Sequence, residues 1–132
     1  MLIDNLPQFF AEYFQSYFGV SVYGNVDPNR NWEGKPTIEF SQGEQTTTTL
    51  INGGEIVDLP IVCACRAATA DAARSMAISA KLKLFELLND MAENGDIYSF
   101  SFNNLGTTAD SRGFVEGESF YGFVEFMVNK KF

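Results

Sequence analysis

The sequence contains no histidine and only two cysteines among its 132 residues. Without histidine, a serine nucleophile has no imidazole base, so triad chemistry is excluded. Zinc needs roughly four ligands, and Cys63 and Cys65 have no third cysteine or histidine to complete a set. Two apart on a strand, these thiols share a face. They read as small buried thiols in an apolar strand, with a strained disulfide or redox pair as the alternative. Basic residues are also scarce, nine against seventeen acidic, for a net charge of −8. That excludes a surface built to clamp nucleic acid, which needs clustered Lys and Arg. It is compatible with nucleic acid sliding past, or simply with solubility.

Long hydrophobic runs are missing as well. The most apolar stretch, 59–65, contains Pro60 and is too short to cross a bilayer. The first residues, Met1-Leu2-Ile3-Asp4, lack the basic and apolar regions of a signal peptide, so an intracellular product is expected. Gly113, Gly117 and Gly122 have neither the spacing nor the Gly-Lys-Ser/Thr of a phosphate loop. Carboxylates are plentiful, and Asp110, Glu116 and Glu118 cluster, but acid-pair hydrolysis needs two of them about 5–10 Å apart across a cleft. These three read as solvated loop charges. No enzyme activity, cofactor or metal is expected.

What is abundant is aromatic surface: thirteen Phe, five Tyr and one Trp, 14% of the chain. A single domain over 1–132 is long enough to bury such a core without staples. Asn5 caps a helix over 6–18, with Pro7 in its first turn and Gly19 as its stop. Phe10, Tyr13, Phe14, Tyr17 and Phe18 give that helix an aromatic stripe. Strands follow over 20–23, 37–41 and 46–51, and Asn52-Gly53-Gly54 signals a hairpin into a long strand over 55–67. Pro60 inside that strand demands a bulge or an edge.

A second helix over 69–91 is capped by Thr69, has Asp71 at its positive end and stops before Gly95. Its apolar stripe is Ala73, Met76, Ala77, Ala80, Leu84, Leu87, Leu88 and Met91. Tyr98, Phe100 and Phe102 then alternate with serines in a half-buried strand. The stretch 103–118 reads as a long polar connection. The final strand, 119–128, is apolar on both faces, with Tyr121 and Phe123 opposite Val124 and Phe126. The predicted fold is α+β, a mainly antiparallel sheet meandering between two helices on one face, in the order α-β-β-β-β-α-β-β.

Three features suit an interface. Trp32 and Arg30, in the turn-rich connection 27–36, are residue types enriched at binding hot spots. Trp32 folded back onto the core is the other reading. Thr47 and Thr49 belong to a Thr run that forms an ordinary edge strand or a hairpin arm reaching a neighbour by strand addition. Tyr121 and Phe123 give the last strand its second apolar face.

The aromatic first helix and the Trp-bearing loop are followed by Ile61-Val62-Cys63-Ala64-Cys65-Arg66, which runs straight into a helix opened by Thr69-Ala70-Asp71-Ala72. The chain closes on Gly122-Phe123-Val124-Glu125-Phe126. With these features it resembles the minor capsid or tail terminator (tail completion) proteins of long-tailed phages. The resemblance spans nearly the whole chain and rests on element order.

It implies a non-catalytic virion protein assembled in the host cytoplasm. Such proteins form a hexameric ring that caps the tail tube, stops its polymerisation and offers the head–tail joining surface. The implied partners are further copies of itself, the major tail tube protein and a head–tail connector, with DNA passing through unbound and no membrane involved. Arg30, Trp32, Thr47, Thr49, Tyr121 and Phe123 would then contact subunits or partners, and Asp110, Glu116 and Glu118 would line the lumen. A head-closure or neck protein and a small-ligand binding module are the alternative readings.

Overall fold

The computed structural model describes residues 5–18, 20–24, 35–109 and 119–131. Asn5 opens the first helix, α1 (Leu6–Phe18). Its Oδ1 accepts the Gln8 amide at 3.2 Å and its carbonyl accepts the Phe9 amide at 3.1 Å. Phe10 and Phe14 on the inner face are fully buried. They meet Phe40 with ring centroids 5.7 and 5.2 Å apart, and Phe10 also meets Phe126 at 5.5 Å. Phe10 and Phe14 are the glue between α1 and the sheet.

The strands are β1 (Ser21–Tyr23), β2 (Thr37–Gln42), β3 (Thr46–Thr49), β4 (Glu55–Ala67), β5 (Ser99–Ala109) and β6 (Phe120–Lys131), with the helix α2 (Ala70–Glu93) between β4 and β5. The fold is α+β in the expected element order. The sheet runs β1-β2-β4-β6-β5, and β3 pairs with β4. It is not a plain meander: β1 pairs with β2 in parallel, and β6 inserts between β4 and β5. Alternation along β4 and β6 sends Ile61, Cys63, Cys65, Val124, Phe126 and Val128 to one face, where both helices bury them.

β2 and β3 lie end to end along one side of β4, and Pro60 explains the gap between them. The Pro60 carbonyl accepts the Gly43 amide at 2.8 Å, so its missing N–H also points towards this side. There the ladder slips: residues 43–45 face only 59 and 60 between the Gln42–Ile61 and Thr46–Asp58 pairs. That is the bulge the proline demands. The hairpin after β3 turns at 50–54, with Gly53 at φ +87° and bonds from Gly53 to Leu50 (3.0 Å) and from Leu50 to Gly54 (2.7 Å). Leu50 and Ile51, expected in the strand, belong to this turn.

Both ends of α2 close locally. Thr69 Oγ1 accepts the Ala72 amide at 3.1 Å. At the other end Gly95, at φ +81°, lets its own amide reach Ala92 and that of Asp96 reach Met91, at 3.2 and 2.9 Å. The stretch from Asn103 to Ala109, read as part of a connection, continues β5 and pairs with β6. Asn103 is the extra residue of a bulge between the Phe102–Phe126 and Asn104–Glu125 pairs.

Candidate assembly surfaces

Beyond its buried stripe, α2 carries a second apolar row at helical spacing: Ile78, Leu82 and Phe85. All three are exposed, Leu82 to 65%. The row runs beside β5, the last strand of the sheet, whose outer edge no described strand covers. The bulge at Asn103 matters here. It switches the alternation so that Leu105, not polar Asn104, shares the helix-bearing face with Phe100 and Phe102.

Ile78, Lys81, Leu82, Phe85 and Leu105 thereby line an open apolar groove of about 470 Å³. Phe85 is steadied from beneath by ring contacts with Phe100 and Phe102, at centroid separations of 5.9 and 6.4 Å. Lys81 holds its ammonium 5.4 Å from the Phe102 ring. Arg74, one turn before Ile78, is exposed on the same row.

The opposite side of the sheet presents β3 and its hairpin. All four threonines of β3 are exposed. Thr47 and Thr49 stand opposite Val57 and Glu55, and the turn beyond them presents Ile51 fully to solvent.

The sheet face without helices is a different surface. Tyr121 and Phe123 project from β6 there, half-buried by their own chain. The Arg66 guanidinium lies 5.6 Å from the Tyr121 ring, and its Nε donates to Ser119 Oγ at 3.0 Å. The Phe123 ring covers Gly106, where an added Cβ would meet it at 2.6 Å. Arg66 and Glu39 are both almost wholly buried at this end. Thr47 and Thr49 therefore sit on one edge while Tyr121 and Phe123 sit in the sheet interior, and the two pairs do not meet. Arg30, Trp32, Asp110, Glu116 and Glu118 lie outside the described residues.

The thiols are side by side and buried in the core. Burial pushes the Cys63 thiol well above its ordinary pKa, and its hydrogen bond to Cys65 and that residue's charge push the same way. A thiol held protonated is a poor nucleophile and a poor ligand. Among the described residues, no three of Cys, Asp and Glu gather where a metal could bind.

The groove was not foreseen from the sequence, although 78, 82 and 85 carry a readable helical period. No family model matches the chain, and no curated protein matches it. No described helix is long and apolar enough to cross a membrane.

Proposed function

We propose that this chain is a virion assembly protein of the tail-terminator type, which forms a ring, caps a tail tube and presents the joining surface for a head. The carrying observation is the row Ile78, Leu82 and Phe85, left exposed along the outer strand β5. Contiguous exposed apolar surface on a small domain marks a contact site. A ring built from one kind of subunit needs two different patches on each copy. The α2–β5 groove and the β3 hairpin are such a pair, on opposite edges of the sheet. The net charge of −8 suits a ring through which DNA passes without adhering.

The test uses polymerising tail tube protein with and without this chain. Tubes of limited length with extra density at one end, seen by negative-stain microscopy, support the reading. Uncapped tubes together with a strict monomer by light scattering at high concentration would end it. Binding to portal-side complexes instead of tube ends would move the chain to the neck.

A small-ligand module is the second reading, favoured by a groove volume within the range of about 300–1,000 Å³ typical of ligand sites. Such sites use several convergent polar groups, whereas this groove offers only Lys81. Titration with apolar fluorescent probes checks it: saturable binding that Leu82→Asp abolishes, in a protein that never self-associates, is what a ligand module predicts.

A further inference from the structure

We propose that the groove between α2 and β5 is a socket for the β3–β4 hairpin of a second copy of this chain, with Ile51 as its plug. The proposal rests on the assembly reading only in requiring self-association. It does not depend on what the assembly caps.

Ile51 is the observation that asks for a partner. A branched aliphatic side chain stands fully in water at the tip of an ordered turn. The turn is held by the Leu50–Gly54 and Gly53–Leu50 backbone bonds and by Asn52 Oδ1, which accepts the Gly54 amide at 3.0 Å. The projection is built, not frayed. Turn chemistry explains Asn52 and Gly53 at their positions but gives no reason for isoleucine beside them.

The socket matches in polarity and in charge. Its walls are Ile78, Leu82, Phe85 and Leu105, so an aliphatic plug would be dehydrated on several sides. No Lys or Arg occurs between Lys35 and Arg66, while Glu44, Glu55 and Asp58 all lie on or beside the hairpin. Lys81 lines the socket, and Arg74 is exposed one turn before Ile78 on α2, with Asp71 three residues earlier. The nearby Glu86 is engaged by Lys83 at 3.5 Å. An acidic arm meeting the basic side chains beside an apolar groove sets orientation more than affinity.

Because plug and socket lie on opposite edges of the sheet, one edge-to-edge contact engages one plug and one socket. Each joined pair leaves one plug and one socket open, so the contact propagates head to tail and closes into a ring when the rotation allows.

Two surface variants isolate the contact. Ile51→Asp destroys the plug and keeps the socket; Leu82→Asp does the reverse. Both positions are exposed, so both variants should match the parent in thermal unfolding. By sedimentation velocity each alone should stay monomeric, and an equimolar mixture should give a one-to-one dimer and nothing larger.

Cysteine trapping covers association too weak to populate. Ile51→Cys mixed with Leu82→Cys under mild oxidation, free or on tube ends, should yield the mixed disulfide in about tenfold or greater excess over either homodimer. Cys63 and Cys65 are buried and stay silent. Statistical amounts of the three disulfides, or no dimer from the Asp mixture where the parent assembles, overturn the pairing while leaving assembly intact. A parent that never associates, free or on tubes, overturns the assembly reading itself.

Discussion

Gly122 occupies the point where β6 passes beneath the first turns of α2. A Cβ there would run into the Ala73 carbonyl oxygen and lie 3.1 Å from the Ala77 methyl. The helix can approach so closely only because Ala73, Ala77 and Gly122 are all small. Gly122→Ala should therefore cost about 1–3 kcal/mol of stability through overpacking, read as a lower urea midpoint. A variant as stable as the parent would place α2 farther from the sheet.

Cys63 carries a second expectation at this scale. Its thiol titrates at higher pH folded than unfolded, because burial and Cys65 disfavour the thiolate. The unfolded state then binds fewer protons above its own pKa, so stability is full below that value and falls as pH rises. The decline should begin near pH about 8.5 and approach about 1.4 kcal/mol per pH unit. Cys63→Ala should flatten it. An unchanged slope in that variant would assign the pH dependence to other groups.

At the scale of elements, α2 presents two apolar rows with two different roles. Leu84, on the inner row, is completely buried, and Leu84→Ala should cost about 2–5 kcal/mol in a denaturant titration. Leu82, two residues earlier on the outer row, should cost about 0.5 kcal/mol or less in the monomer when changed to alanine. Equal losses would mean that the outer row is packed rather than waiting for a partner.

The extent of α2 was legible because its signals are local: the Thr69 cap, the inner period and Gly95 all act within a few residues. The Asn52-Gly53 turn and the Pro60 bulge were readable for the same reason. β5 was not. Asn103, Asn104 and Gly106 have little strand tendency of their own, and β6 beside them makes the strand. The outer row was available in the spacing of 78, 82 and 85, but a row of three looks ordinary until the edge strand beside it is known. Ile51 looks like the end of a strand in the sequence, because turn propensity does not say which side chain the turn will display.

At the scale of the whole molecule, net charge opposes the very association that the surfaces favour. A domain of this length has a radius of gyration of about 14 Å, which puts neighbouring subunit centres about 30 Å apart. Two charges of −8 at that distance repel by about 9 kcal/mol in water without salt. A Debye length of about 30 Å at 0.01 M leaves about 3 kcal/mol, and one of about 8 Å at 0.15 M leaves about 0.2 kcal/mol. The contact between Lys81 or Arg74 and the hairpin carboxylates works in the opposite sense, but exposed pairs contribute only about 0.2–1 kcal/mol each. Repulsion between whole subunits wins at low salt. Self-association should therefore strengthen about a hundredfold between 0.01 and 0.15 M salt, then level off as the remaining apolar contact becomes indifferent to ionic strength. Sedimentation equilibrium across a salt series reads both limbs. Association strongest at the lowest salt would put charge complementarity, not the apolar socket, in command of assembly.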